Sequence, residues 1–123
     1  MFYEQDWILR QISIIIKFIR SLLSKESNVY EQDEEQTVFK EEIEKLIELN
    51  RLKEANSLIV KTSKDNDVLA LGLWFYALLN DLSDKKLEEG ALAREDILKG
   101  LRTLLYNSDR VDNSVVDIII DKY

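Results

Sequence analysis

Along the first 24 residues, polar and apolar positions separate at the 3.6-residue period of a helix. Asp6, Arg10, Ser13, Lys17, Arg20, Ser21 and Ser24 share one narrow stripe, and from Asp6 onward every other position except Gln11 is apolar. The pattern predicts a helix over residues 3–24 that is covered on most of its circumference, whether by its own domain, by another subunit or by lipid. Within that apolar surface Ile8, Ile12, Ile15, Ile19 and Leu22 follow a 4-3-4-3 spacing, the geometry of a seam between packed helices. These five residues are the candidate interaction seam.

Residues 25–35 are polar and aperiodic, which predicts an exposed linker between the apolar helix at 1–24 and a body over 36–123, all within one domain of 123 residues. Asp33 and Gln36 are spaced to cap a second helix, with Phe39, Ile43, Leu46 and Ile47 on one face and an end near Leu49 and Asn50. A third helix opens at about Arg51 and carries Leu52, Ala55, Leu58 and Ile59 at helical spacing. So short a connection requires the two to run antiparallel.

Asp65, Asn66 and Asp67 offer caps for a fourth helix, whose uncharged run over 68–79 has the length and composition of a buried core helix. A short turn over 84–89 precedes Gly90. The fifth helix begins near Arg94, with Glu95 and Asp96 at its positive end, and buries Ile97, Leu98, Leu101, Leu104 and Leu105. Residues 112–114 can cap a last short helix through Ile120, although the β-branched run Val115, Val116, Ile118, Ile119, Ile120 fits a strand equally well. The reading is an all-α chain of antiparallel hairpins, five to six helices in an array or bundle.

Composition supports it. There is no proline and there are only three glycines, so the punctuation of hairpins and sandwich loops is nearly missing. The net charge of −7 is uneven, because residues 1–25 carry four cations against Glu4 and Asp6 and the remainder is strongly acidic. An acidic body repels phosphate backbones, which argues against a nucleic-acid partner. The opening apolar segment is preceded by Glu4 and Asp6 and interrupted by Lys17 and Arg20, unlike a secretory signal. No uncharged apolar stretch is long enough to span a bilayer, and a cytoplasmic protein is the expectation.

The chain has no histidine and no cysteine, which removes the commonest general base, the commonest metal ligand and all thiolate chemistry. Gly72, Gly90 and Gly100 are too far apart to form a phosphate-cradling loop. Asp65 and Asp67 suggest a calcium loop, but Leu69, Ala70 and Tyr76 occupy its remaining ligand and glycine positions, so capping explains them better. Glu41, Glu44 and Glu48 share a helix face that suits a hard cation or, more simply, water. Trp7, Trp74, Phe75 and Tyr76 lie in apolar helical runs and are expected in the core rather than in a ligand pocket. No catalytic, cofactor or metal residue is assigned.

The pair over residues 36–63 resembles a tetratricopeptide unit, through Phe39, Leu46, the turn Asn50-Arg51-Leu52, Ala55 and Ile59. It departs from that family at Ile43, where a small residue belongs, and at Asp67, where a closing proline belongs; extending the period puts Asn80 and Glu89 at packing sites. The resemblance implies a right-handed helical array without regular repeats. The opening run Tyr3-Glu4-Gln5-Asp6-Trp7-Ile8-Leu9-Arg10, with residues 71–87 and 94–101, is similar to an uncharacterised family of short bacterial helical proteins, a domain of unknown function. Ala93 stands where that family places a helix-capping serine. This resemblance implies a bacterial cytosolic protein and supplies no catalytic residues.

The functional expectation is a non-enzymatic module for protein–protein interaction or self-association, as a homodimer or higher oligomer. The alternative is peripheral membrane attachment through the N-terminal amphipathic helix.

Overall fold

With no charge anywhere in residues 68–79, the fourth helix has nothing to present to water, and the helices over 2–23 and 94–107 pack against it. The computed structural model describes the backbone of residues 2–23 and 34–122, and side chains within 7–23 and 37–119. Among the described residues there are seven helices and no strand: α1 (Phe2–Leu23), α2 (Glu34–Glu48), α3 (Leu52–Ser63), α4 (Leu69–Asn80), α5 (Asp84–Glu89), α6 (Arg94–Asn107) and α7 (Asn113–Lys122). The fold is all-helical. The count exceeds the expected five to six because the turn at 84–89 closes as a helix and the β-branched C-terminal run is helical. Most of the expected linker, and the expected cap at Asp33, lie outside the described residues; Glu34 and Glu35 belong to α2.

α4 packs against α6 and α1; α1 also packs on α6, the α2–α3 hairpin docks through α3 onto α6, and α7 rests on α6. One hydrophobic cluster runs through all of them, from Ile12 of α1 to Ile119 of α7. α4 is buried nearly all round, as an uncharged helix must be. α6 buries Ile97, Leu101, Leu104 and Leu105, while Leu98 is partly covered.

The turns follow from local chemistry. α2 ends in a Schellman motif: Arg51 N–H bonds Leu46 O at 2.8 Å and Asn50 N–H bonds Ile47 O at 2.9 Å. Asn50 takes the left-handed conformation with φ 57°, which asparagine tolerates better than most residues. α5 ends the same way, with Leu92 N–H on Leu87 O and Ala91 N–H on Glu88 O, both 3.0 Å. Here the positive φ, 59°, falls on Ala91 and not on the neighbouring glycine.

Gly90 is needed for another reason. A Cβ there would stand 2.9 Å from Leu52 Cβ, because the start of α3 crosses directly over it and Lys53 N–H bonds Gly90 O at 3.2 Å.

Two expected caps differ in detail. α4 starts at Val68 without a side-chain cap; Asp67 Oδ1 reaches Leu69 N–H at 3.4 Å and its carboxylate pairs with Arg110 at 2.6 Å. At α6, the Ala93 methyl accepts no hydrogen bond, but Asp96 Oδ2 still accepts from Ala93 N–H at 3.0 Å, so half of a capping box survives. Asp112 resolves the helix-or-strand ambiguity. Its Oδ1 accepts from the backbone N–H and hydroxyl of Ser114 at 2.9 and 2.8 Å, and the helix it opens puts Val116 and Ile119 together in the core.

Candidate interaction surface

α1 has two apolar seams in adjacent registers, and the packing of α4 and α6 decides which one is hidden. Ile12, Ile15 and Ile19 are buried against those helices, with Ile8 and Leu22 partly buried beside them. The five residues singled out from the sequence therefore share one face, and that face is the inner one. Ile16 and Leu23 join them in the core.

One position earlier lies the second register. Trp7, Ile14 and Phe18 repeat at the same helical spacing and stay open to solvent, Trp7 at 58 %. This corrects the expectation that Trp7 belongs to the core: it faces away from α4 and α6. Between them sits Gln11, buried, with its Oε1 lacking a hydrogen-bond partner. Arg10, Lys17 and Arg20 are exposed alongside. Sequence periodicity alone misses this stripe because an isoleucine-rich helix carries an apolar seam in either register; Gln11 and Ser21, the polar residues of the second, were the available signal.

A second outward surface belongs to α2. Ile43 is fully buried and Phe39, Leu46 and Ile47 are partly buried on its inner side, whereas Val38 and Leu49 are exposed at 59 % and 66 %. Glu41, Glu44 and Glu48 are exposed between them. Of the remaining aromatics, Phe75 and Tyr76 are fully buried, edge to face at 5.2 Å. Trp74 is partly buried, and the Lys40 ammonium lies 4.9 Å above its ring, a cation–π contact between α2 and α4.

Arg94, Asn80 and Ser63, unlike Gln11, use their buried polar groups to hold helices together. Arg94 is buried at the start of α6. Its Nε donates to Asp84 Oδ1 at 2.9 Å, Nη1 to Asn80 O at 3.1 Å and Nη2 to Leu82 O at 2.9 Å. Asn80 in turn donates from Nδ2 to Leu9 O at 3.1 Å. Asn80, which the extended repeat period puts at a packing site, is buried there because it can bond both ways. A depression of about 550 Å³ opens beside this cluster, with Ile8, Leu87, Glu88 and Glu95 on its walls. The guanidinium beneath it is already engaged.

A smaller one of about 230 Å³ lies over the Asp67–Arg110 pair, near the bond from Asn107 Nδ2 to Ser63 Oγ at 2.9 Å.

The Tyr76 hydroxyl donates to Asn56 Oδ1 at 2.7 Å, joining α4 to α3 under Gly100, whose absent Cβ would stand 2.6 Å from that same oxygen. Burial pushes the Tyr76 phenol well above its ordinary pKa. Among the described residues no three carboxylates converge as a metal site; Glu41, Glu44 and Glu48 fan outward along α2.

These features define a small all-helical protein with structural polar cross-links and exposed helix faces. The chain belongs to a family of unknown function, DUF6483, whose model matches residues 2–108. No match was found among curated proteins or among solved structures. Among the described residues, no helix is long and apolar enough to cross a membrane.

Proposed function

We propose that this protein is a non-enzymatic helical interaction module that docks a protein partner on the outer face of α1. The observation that carries the reading is the stripe of Trp7, Ile14 and Phe18, left open on a helix whose opposite face is anchored in the core. An anchored helix presents its outer side chains in fixed positions, so little ordering entropy is lost on docking. Exposed aromatic and aliphatic residues grouped on one element mark interaction sites more often than scattered ones do. The absence of an enzyme reading rests on the polar inventory: histidine and cysteine are missing, and Arg94, Asn80 and Tyr76 are committed to bonds between helices.

The test is a photo-reactive phenylalanine analogue in place of Ile14, with the same analogue in place of the exposed Arg102 on α6 as control. Illumination in cells is expected to give discrete protein adducts from position 14 and none from position 102. No protein adduct at position 14 would overturn the reading.

A second reading is peripheral attachment to an anionic membrane, favoured by Arg10, Lys17 and Arg20 beside the stripe. It requires binding to anionic vesicles at low salt that disappears when Lys17 and Arg20 are replaced by glutamine.

A further inference from the structure

We infer that the partner is a second copy of this chain, with α1 of one copy lying antiparallel on α2 of the other. The inference rests on the interaction reading above and names the occupant of that surface. Two observations carry it: a matching register and opposite charge.

The exposed apolar positions on the two helices have the same separation. Trp7 and Phe18 are eleven residues apart on α1, and Val38 and Leu49 are eleven apart on α2. Leu49 N–H still bonds Lys45 O at 3.0 Å, so it continues the last turn of α2. The positions between them follow the same 4-3-4 spacing, Gln11 and Ile14 on α1, of which only Ile14 is exposed, and Glu42 and Lys45 on α2, the spacing with which two helices keep a common seam.

Charge then fixes the direction. Arg10 and Lys17 each follow a stripe residue, Trp7 and Ile14, by three positions; Glu41 and Glu48 follow Val38 and Lys45 by three. The cations of α1 and the glutamates of α2 are thus displaced to the same side of their stripes. Same-side flanks meet when helices run antiparallel and separate when they run parallel. With Trp7 opposite Leu49 and Phe18 opposite Val38 of the second copy, Arg10 falls between Glu44 and Glu48 of that copy and Lys17 beside its Glu41. The axial offsets are each two residues, about 3 Å at the helical rise.

Both sets of charges are open. Arg10, Lys17, Glu41, Glu44 and Glu48 are exposed, and no ion pair among the described residues engages them. Within one chain α1 packs on α4 and α6 through its inner face and α2 packs on α3 through its own, which leaves both outer stripes open. A two-fold dimer would make the contact twice, α1 on α2 and α2 on α1.

The test is sedimentation of the full chain and of two charge-reversed forms, Arg10→Glu with Lys17→Glu and Glu41→Lys with Glu48→Lys. The native chain is expected to dimerise at concentrations below about 1 mM, the weak end of specific association, and more weakly as salt is raised. Each reversed form alone is expected to lose at least about tenfold in association, because like charges then face one another. An equimolar mixture of the two restores the dimer, since each contact again joins opposite charges.

A native chain that stays monomeric throughout, a reversed form that still dimerises, or a mixture that remains monomeric overturns the inference. So does binding of the monomer to anionic vesicles without self-association. A monomeric chain that still gives adducts with a different protein at position 14 would overturn this inference alone and leave the interaction reading standing.

Discussion

Arg94 and Asn80 are joined twice, by Nη1 to the Asn80 carbonyl at 3.1 Å and to its Oδ1 at 3.4 Å, and Asn80 passes the connection on to Leu9 O. One guanidinium thereby fastens the start of α6 to the end of α4, and through it to α1. Arg94→Met should cost on the order of 3 kcal/mol, because the Asn80 and Leu82 carbonyls lose a charged donor where water cannot fully replace it. Arg94→Lys should recover little of this, since an ammonium cannot reach acceptors arranged for a planar fork. Urea unfolding monitored by circular dichroism measures both.

The inner and outer sides of α1 should respond differently to truncation. Ile15→Ala removes three carbons from a fully packed position and should cost about 2–5 kcal/mol. Lys17→Ala, on the exposed side, should change stability by less than about 0.5 kcal/mol. Equal effects in denaturant titrations would contradict the placement of α1.

Gly90 and Ala91 carry separate burdens, and exchanging residue types should expose this. Ala91→Gly relieves a left-handed alanine and should stabilise by about 1 kcal/mol. Gly90→Ala drives a Cβ into Leu52 and should destabilise by about 1–3 kcal/mol. Thermal melts of the two single variants should shift in opposite directions.

The cap of α7 should weaken in acid. The backbone N–H of Ser114, followed by its hydroxyl, holds the Asp112 carboxyl below the usual carboxylate range. A depressed folded-state pKa means the cap's contribution is fully present above the unfolded value and is lost as pH falls through the folded one. Amide exchange in α7, corrected for intrinsic rates, should therefore rise at the acid end of a titration, and in Asp112→Asn that rise should disappear.

The two tryptophans should report their different settings. At concentrations where the chain is monomeric, in Trp74→Phe the remaining Trp7 should be quenched readily by acrylamide, whereas in Trp7→Phe the half-covered Trp74 should be protected. Similar quenching constants would place Trp7 in the core after all.

Much of the architecture was legible in the chain because local rules and burial agree there. The period of Ile12, Ile15 and Ile19, the uncharged stretch of α4, the Asn50 turn, and the alternation of leucines in α6 each specify an element from a few neighbouring residues. The boundaries of α5 were legible for the same reason: Ser83 Oγ accepts from Lys86 N–H at 3.2 Å, and Gly90 follows the last turn. The helical state of α7 was not, since a β-branched run fits either period until Asp112 is seen to cap it.

What the sequence by itself determined is therefore a set of amphipathic helices, their approximate ends, and the cover around α4; on α1, expected to be covered on most of its circumference, Trp7, Ile14 and Phe18 stay open. Only the tertiary structure decided which of two apolar registers on α1 turns inward, that Arg94 and Asn80 become cross-links, and that Gly90 serves a helix crossing rather than a turn. The physical reason is the range of the interactions. Hydrogen bonds of caps and turns act over three or four residues and are written locally, whereas the choice of buried face depends on the shape offered by α4 and α6, which begin 46 and 71 positions after α1 ends.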